Sequence, residues 1–222
     1  MIPKIIHYCW FGHKLMPRVV RRCIATWHEH MPDYEFHLWN EQNSPMEHPY
    51  VQLAYKAKKY AFVADYVRFW ALYNYGGIYL DTDMYVLRSF NPLLDAIFFC
   101  GKELPQSDTI SCGVLGACFL CAETQRILDV YDRLLFDENR LDDYIVPRII
   151  TPILMKHKEN ITIYPYDYFY AFPFSKRMER DFMKYCTGNS YAMHLWEISW
   201  YPWYKKIIRQ VVIEIKRLLR HA

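Results

Sequence analysis

A single stretch of the sequence, residues 60–83, does most to limit how this chain can fold. Nearly every side chain from Tyr60 to Tyr75 is apolar, which predicts a helix covered on most sides. Gly76 and Gly77 predict a helix stop, because glycine adopts left-handed backbone angles without a steric penalty. The next three residues, Ile78 to Leu80, fit a short buried strand. The stretch therefore predicts a buried helix, a turn and a buried strand in succession.

The charged residues of this stretch predict a cation site. Asp65 and Arg68 lie three apart, so they share one face of the helix. Asp81 and Asp83 follow the strand, where side chains two apart point the same way. Two such carboxylates repel each other unless a cation lies between them, and oxygen ligands suit Mn²⁺ or Mg²⁺. The alternative is a neutralised helix pair plus exposed turn acids, and the cost of burying unused charge argues against it.

The first forty residues predict a βαβ unit. A strand over Ile2–Trp10, an amphipathic helix over Pro17–Met31 and a strand over Tyr34–Trp39 imply a parallel pair of strands. Trp10 falls at the carboxyl end of its strand, where open α/β sheets bind ligands. We expect its indole to stack on a nucleobase, with Tyr8 of the same strand also binding substrate. The alternative for Trp10 is a core residue.

The second half of the chain predicts further strands and helices, which completes an α/β fold. Strands are predicted at 97–101, 110–120, 161–164 and 191–196, and helices at 123–135 and 148–157. His194 lies on the last strand and is a candidate third metal ligand beside the acids. A lone histidine on a strand is also compatible with a core or hydrogen-bonding role.

The charge of the chain is concentrated at its C-terminus. Residues 204–222 predict an amphipathic helix that carries six basic side chains and one acid, Glu214. This helix either packs its apolar stripe on the domain or binds an anionic membrane surface, and the charge favours the membrane. The rest of the chain is slightly acidic, which argues against a nucleic-acid partner.

Cysteine usage and the N-terminus bear on the compartment. The seven cysteines are odd in number and lack framework spacing, so reduced thiols are the simplest interpretation. The sequence begins directly on a predicted strand, without a signal peptide. Together with the basic tail, these features predict a cytoplasmic protein, peripheral at the inner face of the cytoplasmic membrane.

Three segments carry a resemblance to a known family: the opening IPKIIHYCWFG, the ADYVR around Asp65, and the GGIYLDTD that ends at Asp83. They resemble glycosyltransferase family 32, in particular bacterial capsular and lipopolysaccharide sugar transferases. Clostridial glucosylating toxins and yeast initiating mannosyltransferases are similar at a greater distance. The resemblance implies a GT-A fold, a Rossmann-like mixed sheet flanked by helices, over residues 1–203. The basic amphipathic helix of residues 204–222 would follow it.

The resemblance also implies roles for individual residues. Trp10 would stack on the base, Asp65 and Arg68 would hold the hydroxyls of the donor sugar, and Asp83 would bind the metal. Further roles fall on Tyr79 and Asp81 (donor sugar and ribose), Asn43 (nucleotide), and Ser199 and Trp200 (a loop closing over metal and diphosphate). The toxins carry a Glu ahead of that loop, a place that His194 is expected to take here.

The predicted function is that of a metal-dependent retaining glycosyltransferase. It would move a hexosyl group from a nucleotide sugar, with a UDP-sugar favoured, to a saccharide or lipid-linked saccharide in capsule, exopolysaccharide or lipopolysaccharide synthesis. Two alternatives come from other classes. One is a haloacid-dehalogenase-like phosphatase with Asp81 as nucleophile, and the other is a non-catalytic glycan- or membrane-binding module.

Overall fold

The computed structural model of the protein describes residues 1–197. Its strands, in chain order, are β1 (Ile5–Cys9), β2 (Glu35–Trp39), β3 (Gly77–Leu80), β4 (Met84–Val86), β5 (Phe98–Lys102), β6 (Ile110–Ala117), β7 (Ile161–Tyr164) and β8 (Ala192–His194). Its α-helices are α1 (Arg18–His30), α2 (Pro49–Lys56), α3 (Tyr60–Tyr75), α4 (Ala122–Tyr131) and α5 (Val146–Lys156). The predicted C-terminal helix and the domain boundary at residue 203 lie outside the described residues.

The strands form one mixed sheet and one small antiparallel sheet. Six strands lie in the order β2-β1-β3-β6-β5-β7, and β4 pairs with β8. Strand β1 is parallel to both β2 and β3, which confirms the predicted βαβ unit. Strand β6 is antiparallel to both its neighbours, so the sheet is mixed. The α/β class predicted from the sequence is therefore confirmed.

The large sheet is covered on both faces. Helix α3 packs on β1, β3 and β6, and α5 packs on β6. Helix α1 packs on β4 at the opposite face, together with the small sheet. Successive residues of β3 alternate between these layers, because Tyr79 belongs to the core beneath α3 and Ile78 to the core beneath α1. The end of β3 is thus enclosed between two packed layers.

The turn between α3 and β3 is fixed tightly. Gly76 and Gly77 have φ of +63° and +105°, as the predicted helix stop requires. A Cβ on Gly77 would lie 2.7 Å from the carbonyl oxygen of Ile5 in β1. His7 donates from Nε2 to the carbonyl of Gly76 at 2.7 Å, and its Nδ1 accepts from Trp39 at 3.1 Å. Buried hydrogen bonds therefore hold the end of α3 to β1 and β2.

Several boundaries differ from the sequence-based expectation. Strand β1 is shorter than the predicted 2–10, and Pro17 precedes α1 as its cap residue. Pro152 lies inside α5 without ending that helix. Helix α2 was not predicted; it is short, and it is held by burial of Tyr50 and Val51 in the core.

Two structural findings concern the cysteines and the helices. All seven cysteines, each of which lies in the described part of the chain, are free. Across residues 1–197, none of the helices combines the length and apolar character needed to cross a bilayer.

Candidate active site

The two acids of the Asp-x-Asp sequence lie in the turn between β3 of the large sheet and β4 of the small sheet. The backbone N–H of Asp81 donates to the carbonyl of Gly113 in β6 at 2.8 Å. The carbonyl of Asp83 accepts from the N–H of Leu195 at 3.0 Å, and its Oδ2 accepts from the N–H of Glu197 at 2.7 Å. The position of both acids is therefore set by backbone hydrogen bonds from other elements.

His194 lies beside Asp83 because β8 pairs antiparallel with β4. In that register His194 is opposite Met84, the residue after Asp83. Its Nε2 lies 3.1 Å from Oδ1 of Asp83. Burial alone would lower the pKa of His194, but attraction to Asp83 outweighs it and the pKa is raised. Burial alone would raise the pKa of Asp83, but His194 and the Glu197 N–H lower it. Each of the two groups therefore favours the charged form of the other.

Asp81, Asp83 and His194 also have the geometry of a cation site. One ligand atom from each lies within 4.8 Å of the others. Adjacent ligands around an octahedral ion with bonds of about 2.1 Å lie about 3 Å apart, close to the separation of His194 and Asp83. Among the described residues, the buried Nδ1 of His194 has no hydrogen-bond partner. Two carboxylates and one imidazole fit a divalent ion such as Mn²⁺.

Arg68 connects α3 to the strand acids. Its Nη2 lies 2.5 Å from Oδ1 of Asp65 and 3.5 Å from Oδ1 of Asp81, and its Nη1 donates to the carbonyl of Cys112 at 2.9 Å. The guanidinium lies 4.6 Å from the centroid of the Tyr79 ring, and the Tyr79 hydroxyl donates to Oδ1 of Asp81 at 3.1 Å. The structure thus brings these four side chains into one contact network.

This network corrects one step of the sequence argument. Asp81 and Asp83 were expected to need an external cation between them. Instead each acid has its own cationic neighbour in the protein, Arg68 for Asp81 and His194 for Asp83. The spacing of Asp81 and Asp83 alone did not reveal these partners, because they come from α3 and β8. A metal would therefore bind an already paired cluster and compete with the proton on His194.

Burial makes the Asp65–Arg68 pair unlike a surface ion pair. Burial raises the pKa of Asp65 to about 7, and the charge of Arg68 opposes that rise. The hydroxyls of Tyr50 and Tyr131, which are buried near Asp65, have no hydrogen-bond partner among the described residues. Asp65 and Arg68 do neutralise each other, as the alternative interpretation expected, but they do so as a buried pair.

Gly113 of β6 allows the Asp81 carboxylate to approach that strand closely. A Cβ there would lie 3.2 Å from Oδ2 of Asp81 and 3.3 Å from the sulfur of Met84. It would also lie 3.5 Å from the hydroxyl of Tyr170, which accepts a hydrogen bond from Val114. Because Gly113 has no side chain, the Asp81 carboxylate has room to lie against β6.

The residues expected to bind the nucleotide occupy different positions. Trp10 is half-buried just after β1, and its Nε1 donates to the carbonyl of Lys14. Its neighbour Cys9 lies within electrostatic range of Arg68 and Asp81, so the end of β1 adjoins the cluster. Tyr8 faces α1, where its ring meets the edge of Trp27 at 5.4 Å.

Asn43 takes a structural position in the loop that follows β2. Its side chain accepts from the N–H of Asn40 at 2.8 Å and donates to the carbonyl of Leu38 at 2.9 Å. The residue is exposed. These contacts account for an Asn there without a ligand, and they leave its expected nucleotide contact untested.

The C-terminal side of the site contains residues that sequence reasoning passed over. The ring of Trp196 lies 3.9 Å from that of His194, and its Nε1 donates to the carbonyl of Phe172 at 2.7 Å. Glu197 contributes the backbone N–H that binds Asp83. The aromatic neighbours of His194 were the available signal, whereas a backbone contact leaves none in the sequence. Ser199 and Trp200 lie outside the described residues.

Comparison with known proteins identifies the region around this cluster. Residues 17–99 match the family described as "Glycosyltransferase sugar-binding region containing DXD motif". That match includes Asp65, Arg68 and both acids of the Asp-x-Asp sequence.

Curated relatives from yeasts cover part of the chain. Inositol phosphoceramide mannosyltransferase 3 of Schizosaccharomyces pombe is 37% identical over 123 residues, which are 52% of this chain and 33% of that protein. Mannosyl phosphorylinositol ceramide synthase CSH1 of Saccharomyces cerevisiae is 31% identical over 125 residues, 53% of this chain and 32% of that protein. The chain thus matches about a third of the length of these relatives.

A solved structure, the PaToxG glycosyltransferase, shares the fold. It is 19% identical in sequence, with a TM-score of 0.58, and the match covers 70% of each chain. At this identity the likeness concerns the fold alone, which is that of GT-A glycosyltransferases. Residues 17–99 are therefore similar to the sugar-binding region of the glycosyltransferases that contain a DXD motif, and the chain has a GT-A-type α/β fold.

Proposed function

We propose that this protein is a metal-dependent glycosyltransferase that moves a hexosyl group from a nucleotide sugar to a saccharide hydroxyl. The observation that carries the proposal is the convergence of Asp81, Asp83 and His194 within 4.8 Å, beside the Arg68–Asp65 pair. An anionic diphosphate and a polar sugar need these two kinds of group side by side. The sugar-binding family match over residues 17–99 supports the same activity.

The cation would be held by Asp83, Asp81 and His194. A divalent ion at this place supplies charge neutralisation for the departing diphosphate, which is the main electrostatic requirement of breaking the anomeric bond. The protein residues fix the ligand positions in advance. The Glu197 N–H orients the Asp83 carboxylate, and Tyr79 orients that of Asp81.

Arg68, Asp65 and Tyr79 would orient the donor. Arg68 has already lost most of its water, so a sugar hydroxyl or phosphate oxygen near it meets a strong, directed donor. The Asp65 carboxylate accepts hydroxyl hydrogens in the same region, and Tyr79 and Asp81 would contact sugar and ribose. Correct placement of the anomeric carbon is itself a large part of catalysis.

The nucleotide would lie against the end of β1. Trp10 is the proposed stacking partner of the base, with Tyr8 and Asn43 as further contacts, and Ser199 and Trp200 would close over the diphosphate. The position of Trp10 next to Cys9, and of Cys9 near Arg68 and Asp81, supports this arrangement. The Asn43 side chain already hydrogen-bonds to the backbone of its own loop, so its proposed nucleotide contact has the least support of these.

The stereochemical course that we propose is retention of the anomeric configuration. The resemblance to glycosyltransferase family 32 implies this course, and both oxygens of the Asp83 carboxylate are engaged, with His194 and with the Glu197 N–H. Same-face attack by the acceptor hydroxyl, with a phosphate oxygen of the leaving group taking its proton, needs no further carboxylate.

Different observations limit the choice of the donor sugar and the choice of the nucleotide base. The names of the yeast relatives favour a mannosyl group. The resemblance to the glucosylating toxins favours a UDP-sugar. The proposal therefore specifies a hexosyl group on a nucleoside diphosphate, with UDP-hexoses and mannosyl donors as the first compounds to test.

The acceptor would be a saccharide or lipid-linked saccharide. The relatives named above act, by their names, on inositol phosphoceramides, which are lipids with a polar head group. A role in capsule, exopolysaccharide or lipopolysaccharide synthesis, at the inner face of the cytoplasmic membrane, agrees with the basic tail of residues 204–222. We propose that this tail contacts anionic lipid.

Release of nucleoside diphosphate from a panel of nucleotide sugars tests the function. We expect release with one class of donor, in the presence of Mn²⁺ and a saccharide acceptor, and its loss in EDTA. Asp83→Asn should lower kcat/KM about 100-fold or more, because the carboxylate that holds the cation is gone. The exposed Asp95 provides the matched control, Asp95→Asn. Full activity of the EDTA-treated enzyme would contradict the proposal.

A further inference from the structure

The first two turns of α1 and the loop before them carry an unbalanced positive charge. Residues 11–28 contain Lys14, Arg18, Arg21 and Arg22 and no acid. All four side chains are exposed. The three arginines lie at helical spacings of three and four, so they share one face of the first two turns of α1. We refer to these four residues as the α1 basic surface.

An apolar side chain projects from the same surface. Leu15 is 95% exposed, next to Lys14. Gly12 and His13 have φ of +90° and +57°, which turns the chain sharply after β1. The Trp10 indole fixes the far side of that turn through the carbonyl of Lys14. Leu15 therefore projects into solvent from a loop whose conformation is fixed, next to basic side chains.

The surface continues onto β4 of the small sheet and onto the segment that precedes β8. The guanidinium of Arg22 lies 5.2 Å from the ring centroid of Tyr85 and 5.9 Å from that of Phe182. The next residue, Met183, is 46% exposed. Basic and apolar groups thus alternate across one side of the molecule, as they do on proteins that lie in a membrane interface.

The charge of the segment that follows the described residues indicates which kind of partner the α1 basic surface can bind. The Glu197 N–H binds Asp83, which adjoins β4, and α1 packs on β4. Residues 198–222 follow Glu197 in the chain, and they carry six basic side chains and one acid. Like charges disfavour the tail as the cover of the α1 basic surface. An anionic plane complements both at once.

We propose that the α1 basic surface, with Leu15, binds the anionic head groups of a lipid bilayer, as a membrane contact separate from the C-terminal tail. Cys23, on the buried face of α1, lies within electrostatic range of Asp83, so a membrane held against the exposed face would lie one helix away from the Asp81–Asp83–His194 cluster. A lipid-linked acceptor would then meet the site at the bilayer surface. The binding itself does not depend on the proposed catalytic activity.

Flotation of the full chain with lipid vesicles tests the proposal. We expect binding to vesicles that contain phosphatidylglycerol, little binding to phosphatidylcholine alone, and weakening by salt. Arg18→Gln/Arg21→Gln should weaken vesicle binding about 30-fold, because each basic residue near an anionic surface contributes about fivefold. Leu15→Ser should weaken it further when added to that variant, since an apolar contact is lost.

Two full-length comparison variants make the result specific. Lys156→Gln/Lys158→Gln removes the same charge from exposed positions at the end of α5, in the opposite layer, and should leave binding within about twofold. Lys216→Gln/Arg217→Gln should weaken binding in addition to the α1 change, as two separate contacts would. Thermal midpoints should stay equal in all variants.

Three results would overturn the proposal. They are wild-type binding by Arg18→Gln/Arg21→Gln, an equal loss in the α5 control, and no preference for phosphatidylglycerol over phosphatidylcholine. Each of them would leave the nucleotide-sugar chemistry of the site untouched. Conversely, an inactive enzyme that still shows the α1-dependent binding would overturn the proposed function only.

Discussion

Arg68 is placed between two carboxylates in a part of the molecule from which water is largely excluded. Its guanidinium lies 2.5 Å from Asp65 and 3.5 Å from Asp81, and its third contact is a backbone carbonyl of β6. Removing this cation leaves Asp65 as a buried acid without its partner, and Asp81 as a partly exposed acid held only by Tyr79. Such a loss costs far more than the loss of a surface pair, because the remaining charge cannot be hydrated.

A double-mutant cycle on Asp65 and Arg68 measures this dependence. We expect Arg68→Met to lower the free energy of unfolding by about 3–5 kcal/mol. Asp65→Leu/Arg68→Met should lose less than the sum of the two single changes, by about 1–3 kcal/mol, because it removes the stranded acid together with its partner. Urea denaturation provides the values. Additive losses within about 0.5 kcal/mol would show that the pair is not coupled.

At the scale of residues, the sequence predicted the identity of the site side chains better than it predicted the contacts among them. Helical spacing placed Asp65 and Arg68 on one face, and their contact agrees. Strand alternation was expected to direct Asp81 and Asp83 to the same side, and ligand atoms of these two acids lie within 4.8 Å of each other. The reach of Arg68 to Asp81 was not predictable, because it depends on how closely β3 returns along α3. The N–H of Glu197 on Asp83 leaves no trace in side-chain chemistry at all.

Among the elements, β1 and the end of α3 are joined by one buried histidine. His7 uses both ring nitrogens, one as donor to Gly76 and one as acceptor from Trp39, so only its neutral form fits. Burial lowers the pKa of His7 to about 4, with the Gly76 hydrogen bond opposing. An unfolded chain would bind a proton at the ordinary histidine pKa of about 6.5.

Acid should therefore destabilise the protein through His7. Between pH 6.5 and pH 4 the unfolded chain binds the His7 proton and the folded protein does not, so stability falls as the pH falls. The full contribution is about 3 kcal/mol. Chemical denaturation of wild type and His7→Gln across this range tests it. The variant should lose less stability on acidification, and parallel pH curves would contradict the role of His7.

The elements show where sequence patterns are strong and where they are weak. The glycine pair after a long apolar helix predicted the end of α3 correctly, because its positive φ angles allow almost no other residue. The strand at Ile161–Tyr164 was also located correctly from its alternation. Helix α2 escaped notice, because eight residues around a few core contacts give too little periodicity.

For the whole molecule, the layers explain why the cluster forms. Helix α3 lies on one face of the large sheet, and the small sheet lies on the other. Strand β3 ends between them, so Asp65 and Arg68 approach Asp81 from one layer while His194 approaches Asp83 from the other. The α/β class followed from the order of patterns along the sequence. The meeting of two layers at one strand end required the three-dimensional arrangement.

The account depends most on cation binding by this cluster, and calorimetric titration of Mn²⁺ in the presence of a nucleoside diphosphate tests it directly. We predict one site per chain, tighter with the diphosphate than without it, retained in Asp95→Asn and weakened at least about 100-fold in Asp83→Asn. Unchanged Mn²⁺ binding in Asp83→Asn, or diphosphate binding equally tight without the metal, would contradict the account.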